Sequence, residues 1–113
     1  LNAFLSTIQL LLGGKLVIAK SISLTYSFVY LELDNQSLKA VVDFSGGVPL
    51  GSEFDVKIIC EDSNLMIHEK VFRTKIFGIY RRSVSRTECR FNFVNLSSSQ
   101  RQEINHTILA LNN

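Results

Sequence analysis

The chain has 113 residues, 46% of them hydrophobic and 19% charged, with a formal charge of +2. These values exclude a disordered segment and fit one domain able to bury a core without metals or disulfides. One Pro and six Gly leave little material for a long linker; there is no Trp, so eight Phe and three Tyr supply the aromatic bulk.

The small net charge hides an asymmetry. Residues 1–69 carry Lys15, Lys20, Lys39 and Lys57 against twice as many acids, whereas residues 70–90 carry Lys70, Arg73, Lys75, Arg81, Arg82, Arg86 and Arg90 against Glu88 alone. Such a cluster either attracts a phosphate or an acidic partner, or forms a solvated sheet face that answers the acids elsewhere. Cys60 and Cys89 lie in alternating apolar runs, which reads as two buried free thiols in a cytoplasmic protein and not as a secreted disulfide scaffold.

Phe4, Leu5, Ile8, Leu11 and Leu12 recur at spacings of three and four, so Asn2–Leu12 is expected to be a short helix stopped by Gly13-Gly14. This greasy start is too short to span a membrane and lacks the basic leader of a signal peptide. A chain that opens on Leu1, without an initiator Met, reads either as one trimmed at its start or as part of a longer protein. From Ser21 the period becomes two, and Ile22, Leu24, Tyr26, Phe28 and Tyr30 predict a strand whose far end, at Val29, Leu31 and Leu33, is covered on both faces.

Asp34–Ser37 reads as a turn, and Leu38, Ala40, Val42 and Phe44 as a second strand broken at Ser45-Gly46-Gly47. Pro49–Ser52 is another turn, followed by a third strand through Phe54, Val56, Ile58 and Cys60. Glu61–Asn64 is a polar turn. Leu65–Ile79 is a long extended stretch with a bulge expected near Lys70–Phe72. Arg81–Thr87 forms a basic hairpin loop, and Cys89, Phe91 and Phe93 mark a last strand. Ser97 and Gln100 fit a capping box, and Ile104, Ile108 and Leu111 give the following helix one apolar stripe. The expected fold is mainly β: a small antiparallel barrel over 21–96, a short N-terminal helix over 1–14 and a C-terminal helix over 97–111, all in one domain over 1–113. A barrel removes the exposed strand edges that an open sheet of this size would leave.

Nothing in the sequence resembles an active site. His68 and His106 have no nucleophile or acid at a telling spacing, and neither Cys nor His occurs in a metal-binding pair. No phosphate-binding loop or nucleophile elbow appears. The chain reads as a binder and not an enzyme, with no metal and no cofactor.

Three segments resemble the PilZ family, bacterial domains known as receptors for cyclic di-GMP. Val41-Val42-Asp43-Phe44-Ser45-Gly46-Gly47 is similar to the family's D-x-S-x-x-G motif. Pro49-Leu50-Gly51-Ser52-Glu53-Phe54-Asp55-Val56 is similar to the start of its next strand, and Cys89–Leu96 to its closing strand and helix. The resemblance, which covers about Ser21 to Leu111, implies that Asp43 and Ser45 contact the guanine side of the ligand and that Gly47 permits a tight turn. It also implies an R-x-x-x-R motif before the first strand to grip the phosphates, because guanidinium forks match phosphate oxygens.

The chain departs from that pattern. Val48 stands where the motif's Gly is expected, with Gly47 one residue early, and no Arg precedes Arg73. Only Lys15 and Lys20 lie before the first strand. Arg82 and Arg86 have the R-x-x-x-R spacing, beside Arg81, but late in the chain.

Two roles follow from the resemblance. One is an adaptor acting by protein–protein contact in motility, pilus or biofilm control, through its N-terminal helix and basic loop, or the non-binding half of a two-domain flagellar brake. The other is a cyclic di-GMP receptor binding through Asp43, Ser45 and the late arginines. A small-barrel nucleic-acid binder, with Phe72, Phe77 and Tyr80 as stacking residues, is a third class disfavoured by the low net charge and by the core-like alternation of those aromatics.

Overall fold

A computed structural model of the chain describes residues 7–61, 64 and 66–111. Among these, six strands and two helices follow in chain order. They are β1 (Thr7–Leu12), β2 (Lys15–Leu24), β3 (Phe28–Asp34), α1 (Asn35–Phe44), β4 (Glu53–Glu61), β5 (Ile67–Arg81), β6 (Arg86–Phe93) and α2 (Ser98–Leu111). The strands close into an antiparallel barrel in the order β1-β2-β3-β6-β5-β4.

The inward positions follow the two-residue period of a pleated strand. Phe54, Val56 and Ile58 of β4, Val29, Leu31 and Leu33 of β3, and Cys89 and Phe91 of β6 are all buried. Phe54 meets Phe91 edge-on at 5.8 Å between ring centroids, and Phe72 meets Phe93 at 5.4 Å. Each helix closes one end. Val41 of α1 is fully buried at the end that holds the β1–β2 turn, and Ile104 of α2 is buried in the same core. At that second end Tyr26 donates its hydroxyl to Asn105 Oδ1 at 3.0 Å, and Lys70 lies 3.8 Å from Glu103.

Four local expectations are corrected. The predicted N-terminal helix is a strand from Thr7 to Leu12, and residues 1–6 lie outside the described residues. Ile8, Leu10 and Leu12 point inward in the two-residue register, so the barrel begins well before Ser21. Gly13 and Gly14, at φ 57° and 87°, make the tight hairpin turn to β2 and do not stop a helix.

The predicted turn at Asp34–Ser37 and strand at 38–44 are instead α1. Asp34 is its N-cap, with Oδ1 accepting from the Ser37 N–H at 2.7 Å, and Leu38 and Val41 face the core at helical spacing. The predicted continuous strand from Ser21 breaks at Thr25–Ser27, where the Thr25 hydroxyl accepts from the Ser27 and Phe28 N–H groups. The bulge lies between Ile76 and Gly78, not near Lys70–Phe72. It turns Phe77 outward, 51% exposed, while Ile76 stays in the core.

Other expectations hold. Pro49–Ser52 is a turn closed by Ser52 N–H to Pro49 C=O at 3.0 Å. The Ser97–Gln100 capping box forms both its bonds at 3.1 Å. Cys89 is a buried free thiol, and burial pushes its pKa up to about 11. The Cys60 side chain lies outside the described set.

Two measurements check this packing. Phe54→Ala should lower unfolding free energy by about 3–5 kcal/mol in urea titrations, whereas Val84→Ala, in an exposed loop, should change it by about 0.5 kcal/mol or less. In a Cys60→Ser background, Cys89 should resist a thiol reagent at pH 8 until the protein is unfolded, since both burial and its raised pKa withhold the thiolate.

Candidate functional site

The residues implied by the resemblance fall on two separate structures. Asp43, Ser45 and Gly47 form the end of α1. The Asp43 carboxylate is held by Lys39 one turn back, Nζ to Oδ2 at 2.6 Å. Ser45 is the C-cap, and its hydroxyl donates to Val42 C=O at 2.8 Å. The Gly47 N–H reaches Val42 C=O at 2.9 Å and the Gly46 N–H reaches Asp43 C=O at 3.1 Å. Both glycines have positive φ, 71° and 96°, the left-handed conformation that ends a helix and that glycine adopts without strain. The segment that resembles a ligand motif is therefore a helix stop.

Arg81, Arg82 and Arg86 belong to the β5–β6 hairpin. Arg81 Nη1 donates to Asn35 Oδ1 and Thr87 Oγ1, each at 3.3 Å, and Nη2 donates to Val84 C=O at 3.1 Å. Arg82 Nε donates to Glu88 Oε1 at 2.8 Å and Nη2 to the Tyr30 hydroxyl at 3.2 Å, with the guanidinium 5.5 Å from the Tyr80 ring centre. Arg86 Nε stands 3.6 Å from Glu32 Oε1. The hairpin thus meets the first residue of α1, Asn35, while Asp43 lies eight residues further along that helix, roughly 12 Å at 1.5 Å per residue. The two halves of the implied ligand set are not brought together.

Two more cations of the basic segment are paired within the fold, Lys70 with Glu103 and Arg73 with two acids. Arg73 bridges Glu53 and Asp55 at 2.9 and 3.1 Å across the β4–β5 ladder. Of the aromatics considered for base stacking, Phe72 is in the core. Tyr80 is 42% exposed, yet its ring lies over Gly78, packs near Tyr30 at 6.2 Å and carries Arg82 on a face. Phe77 and Tyr80 are thus outward residues and not the core residues that alternation implied. On the outer face of β6, Arg90 sits 5.6 Å from the Phe28 ring centre. Arg90 Nε and Asn92 Oδ1 are buried there without hydrogen-bond partners.

Sequence reasoning missed one feature altogether. β2 pairs with β1 along Lys15–Ala19, but with β3 only from Lys20 onward. Its first half therefore parts from β3, and α1 stands beside the gap. An open groove of about 410 Å³ lies between them, lined by Lys15, Leu16, Val17, Ile18, Gln36, Ser37 and Ala40. The alternation of Leu16, Ile18 and Lys20 against Val17 and Ala19 was the available signal.

Among the described residues no three His, Cys, Asp or Glu side chains gather as a metal site, and no helix is long and apolar enough to cross a membrane.

The barrel with its two helices is PilZ-like. No protein-family model and no curated protein matches the sequence, so the likeness is carried by solved structures. The Bacillus subtilis inhibitor of motility, MotI/DgrA, superposes with a TM-score of 0.65 at 10% identity, over 96% of this chain and 47% of that one. The Borreliella burgdorferi PlzA protein, solved in complex with c-di-GMP, superposes with a TM-score of 0.58 at 11% identity, over 91% and 42%. The chain spans less than half the length of either protein, and at these identities the likeness is one of fold.

The Arg82–Glu88 pair gives a pH test. Its hydrogen bond holds the Glu88 carboxyl below the ordinary glutamate range, against the opposing effect of desolvation. A depressed folded pKa stabilises the fold at neutral pH, and that contribution disappears as pH falls through the folded value. Urea midpoints should therefore drop below about pH 4.3, the ordinary glutamate value, and Glu88→Gln should remove part of that drop.

Proposed function

We propose that this chain is a non-catalytic PilZ-like signalling domain that acts as an adaptor, through protein–protein contacts, in cyclic di-GMP-linked control of motility, pili or biofilms. The observation that carries this reading is the internal commitment of every residue the ligand would need. Asp43 is bonded to Lys39, Ser45 caps α1, Gly47 closes the helix stop, and Arg81, Arg82 and Arg86 are each engaged within the hairpin and its neighbours. Recruiting them would break these bonds before any new one formed. Lys15 and Lys20, both on β2, offer a phosphate no bidentate fork. The fold likeness to an inhibitor of motility, and to a protein solved with c-di-GMP, supports the signalling context.

One observation favours a second reading, the receptor. Arg90 Nε and Asn92 Oδ1 are an unsatisfied donor and acceptor beside Phe28, and buried polar atoms without partners call for an explanation. A guanine edge supplies the complementary groups. Both atoms are shielded from solvent, however, so a ligand would first have to displace the side chains that cover them.

Calorimetric titration of the folded domain with cyclic di-GMP separates the readings. The adaptor reading expects no saturable heat. Saturable binding that is lost in Arg82→Ala and Arg86→Ala would make the chain a receptor using the late arginines. Binding that is lost instead in Arg90→Ala and Asn92→Ala would make it a receptor using the outer face of β6.

A further inference from the structure

We infer that the first half of β2 is a docking edge for an extended, acidic partner segment, which adds to the barrel as an extra strand in the gap between β2 and α1. The inference rests on the adaptor reading and names the kind of partner.

Four observations converge on this edge. First, Lys15–Ala19 is hydrogen-bonded to β1 on one side only. On its other side no backbone bond to these residues is present among the described residues. A strand edge with unpaired N–H and C=O groups is a template for another chain, and proteins normally cover, charge or bulge such edges. β2 and β3 pair from Lys20 onward, so this opening is confined to Lys15–Ala19.

Second, the outward side chains along the edge are apolar. Leu16 is 54% and Ile18 69% exposed. They alternate with Val17 and Ala19, which face the core. An incoming strand would cover Leu16 and Ile18 with its own alternate residues, in the manner of peptides that bind by strand addition.

Third, α1 offers no competing bulk. The residues it turns toward the groove are Gln36, Ser37 and Ala40, small or polar.

Fourth, the charge around the edge is one-sided. Lys15 and Lys20 mark its two ends, and Lys57 stands across β1 at the Gln9 register. Among the described residues none of the three is in an ion pair, in contrast to Arg73, Arg82 and Arg86. Glu32, which faces Lys20 across the β2–β3 ladder, has Arg86 beside its carboxylate. Asp34, at the head of α1, is bonded to the Ser37 N–H. Lysines without partners favour acidic side chains in the occupant. The segment that fits therefore alternates apolar residues with Asp or Glu.

The test uses the 113-residue chain and a fluorescein-labelled peptide of roughly eight residues that alternates Glu with Val. Saturable anisotropy is expected, with amide exchange at Lys15–Ala19 slowed about tenfold in the complex. The same peptide should bind roughly tenfold more weakly to Ile18→Asp, a change at an exposed position, and a Lys-for-Glu peptide should lose a similar factor on the unaltered chain. The proposal is overturned by a folded sample that does not bind, by equal affinity for both peptides, by binding that leaves exchange at Lys15–Ala19 unchanged, or by a dimer of the chain that already covers the edge. A cyclic di-GMP titration on the same samples keeps the two failures apart. Saturable nucleotide binding removes the adaptor reading, whereas loss of peptide binding alone removes only the docking edge.

Discussion

The antiparallel ladder between β1 and β4, from Thr7↔Ile59 to Leu11↔Asp55, is the interaction on which the rest depends. It joins the first strand to the fourth and turns a six-stranded sheet into a barrel. Closure fixes the inward register of every strand, because a one-residue slip in any of them would carry its apolar set to the outside. It also explains why both ends need covers. Side chains from the strands fill the middle, and Val41 of α1 and Ile104 of α2 are buried into the same core. Where β2 parts from β3, the first half of β2 is left as a short edge.

Closure also governs the electrostatics. The basic segment 70–90 looks in sequence like a field waiting for a phosphate. In the barrel it is laid beside the acids of its neighbouring strands: Arg73 with Glu53 and Asp55, Arg82 with Glu88, Arg86 with Glu32, and Lys70 with Glu103 of α2. Exposed ion pairs add little to stability, yet together they offset much of the charge asymmetry. Among the described residues Lys15, Lys20 and Lys57, all outside the basic segment, have no ion pair, and neither do Lys75, Arg81, Arg90 and Arg101.

Strands with strict alternation and real turn chemistry were legible. β4, β6 and the α2 capping box follow from Phe54–Ile58, Cys89–Phe93 and Ser97–Gln100, because there local pattern and burial agree. Two elements were misread in opposite senses. Ile8, Leu10, Leu11 and Leu12 satisfy both a helical and a strand period, so a short apolar run cannot decide. The tie is broken by Gly13-Gly14 and the alternating run after it, a hairpin signature. Leu38–Phe44 likewise alternates, but Asp34 as an N-cap, Leu38 and Val41 three apart, and Gly46-Gly47 as a stop jointly specify α1. That second misreading bears on the implied site: Asp43 and Ser45, expected at a strand end, stand at a helix end and are bonded to Lys39 and Val42. The gap beside β2 was not legible, since only the paired register of three elements creates it.

The central claim is that the implied ligand residues are occupied by the fold itself. The most direct measurement is the arginine Nε–H region of a nitrogen–proton NMR spectrum, recorded without and with cyclic di-GMP. The Arg82 Nε–H, bonded to Glu88, should be dispersed, slow to exchange with water and unmoved by the nucleotide. An Arg82 resonance that exchanges freely in the isolated chain, or shifts progressively to saturation as nucleotide is added, would contradict the account.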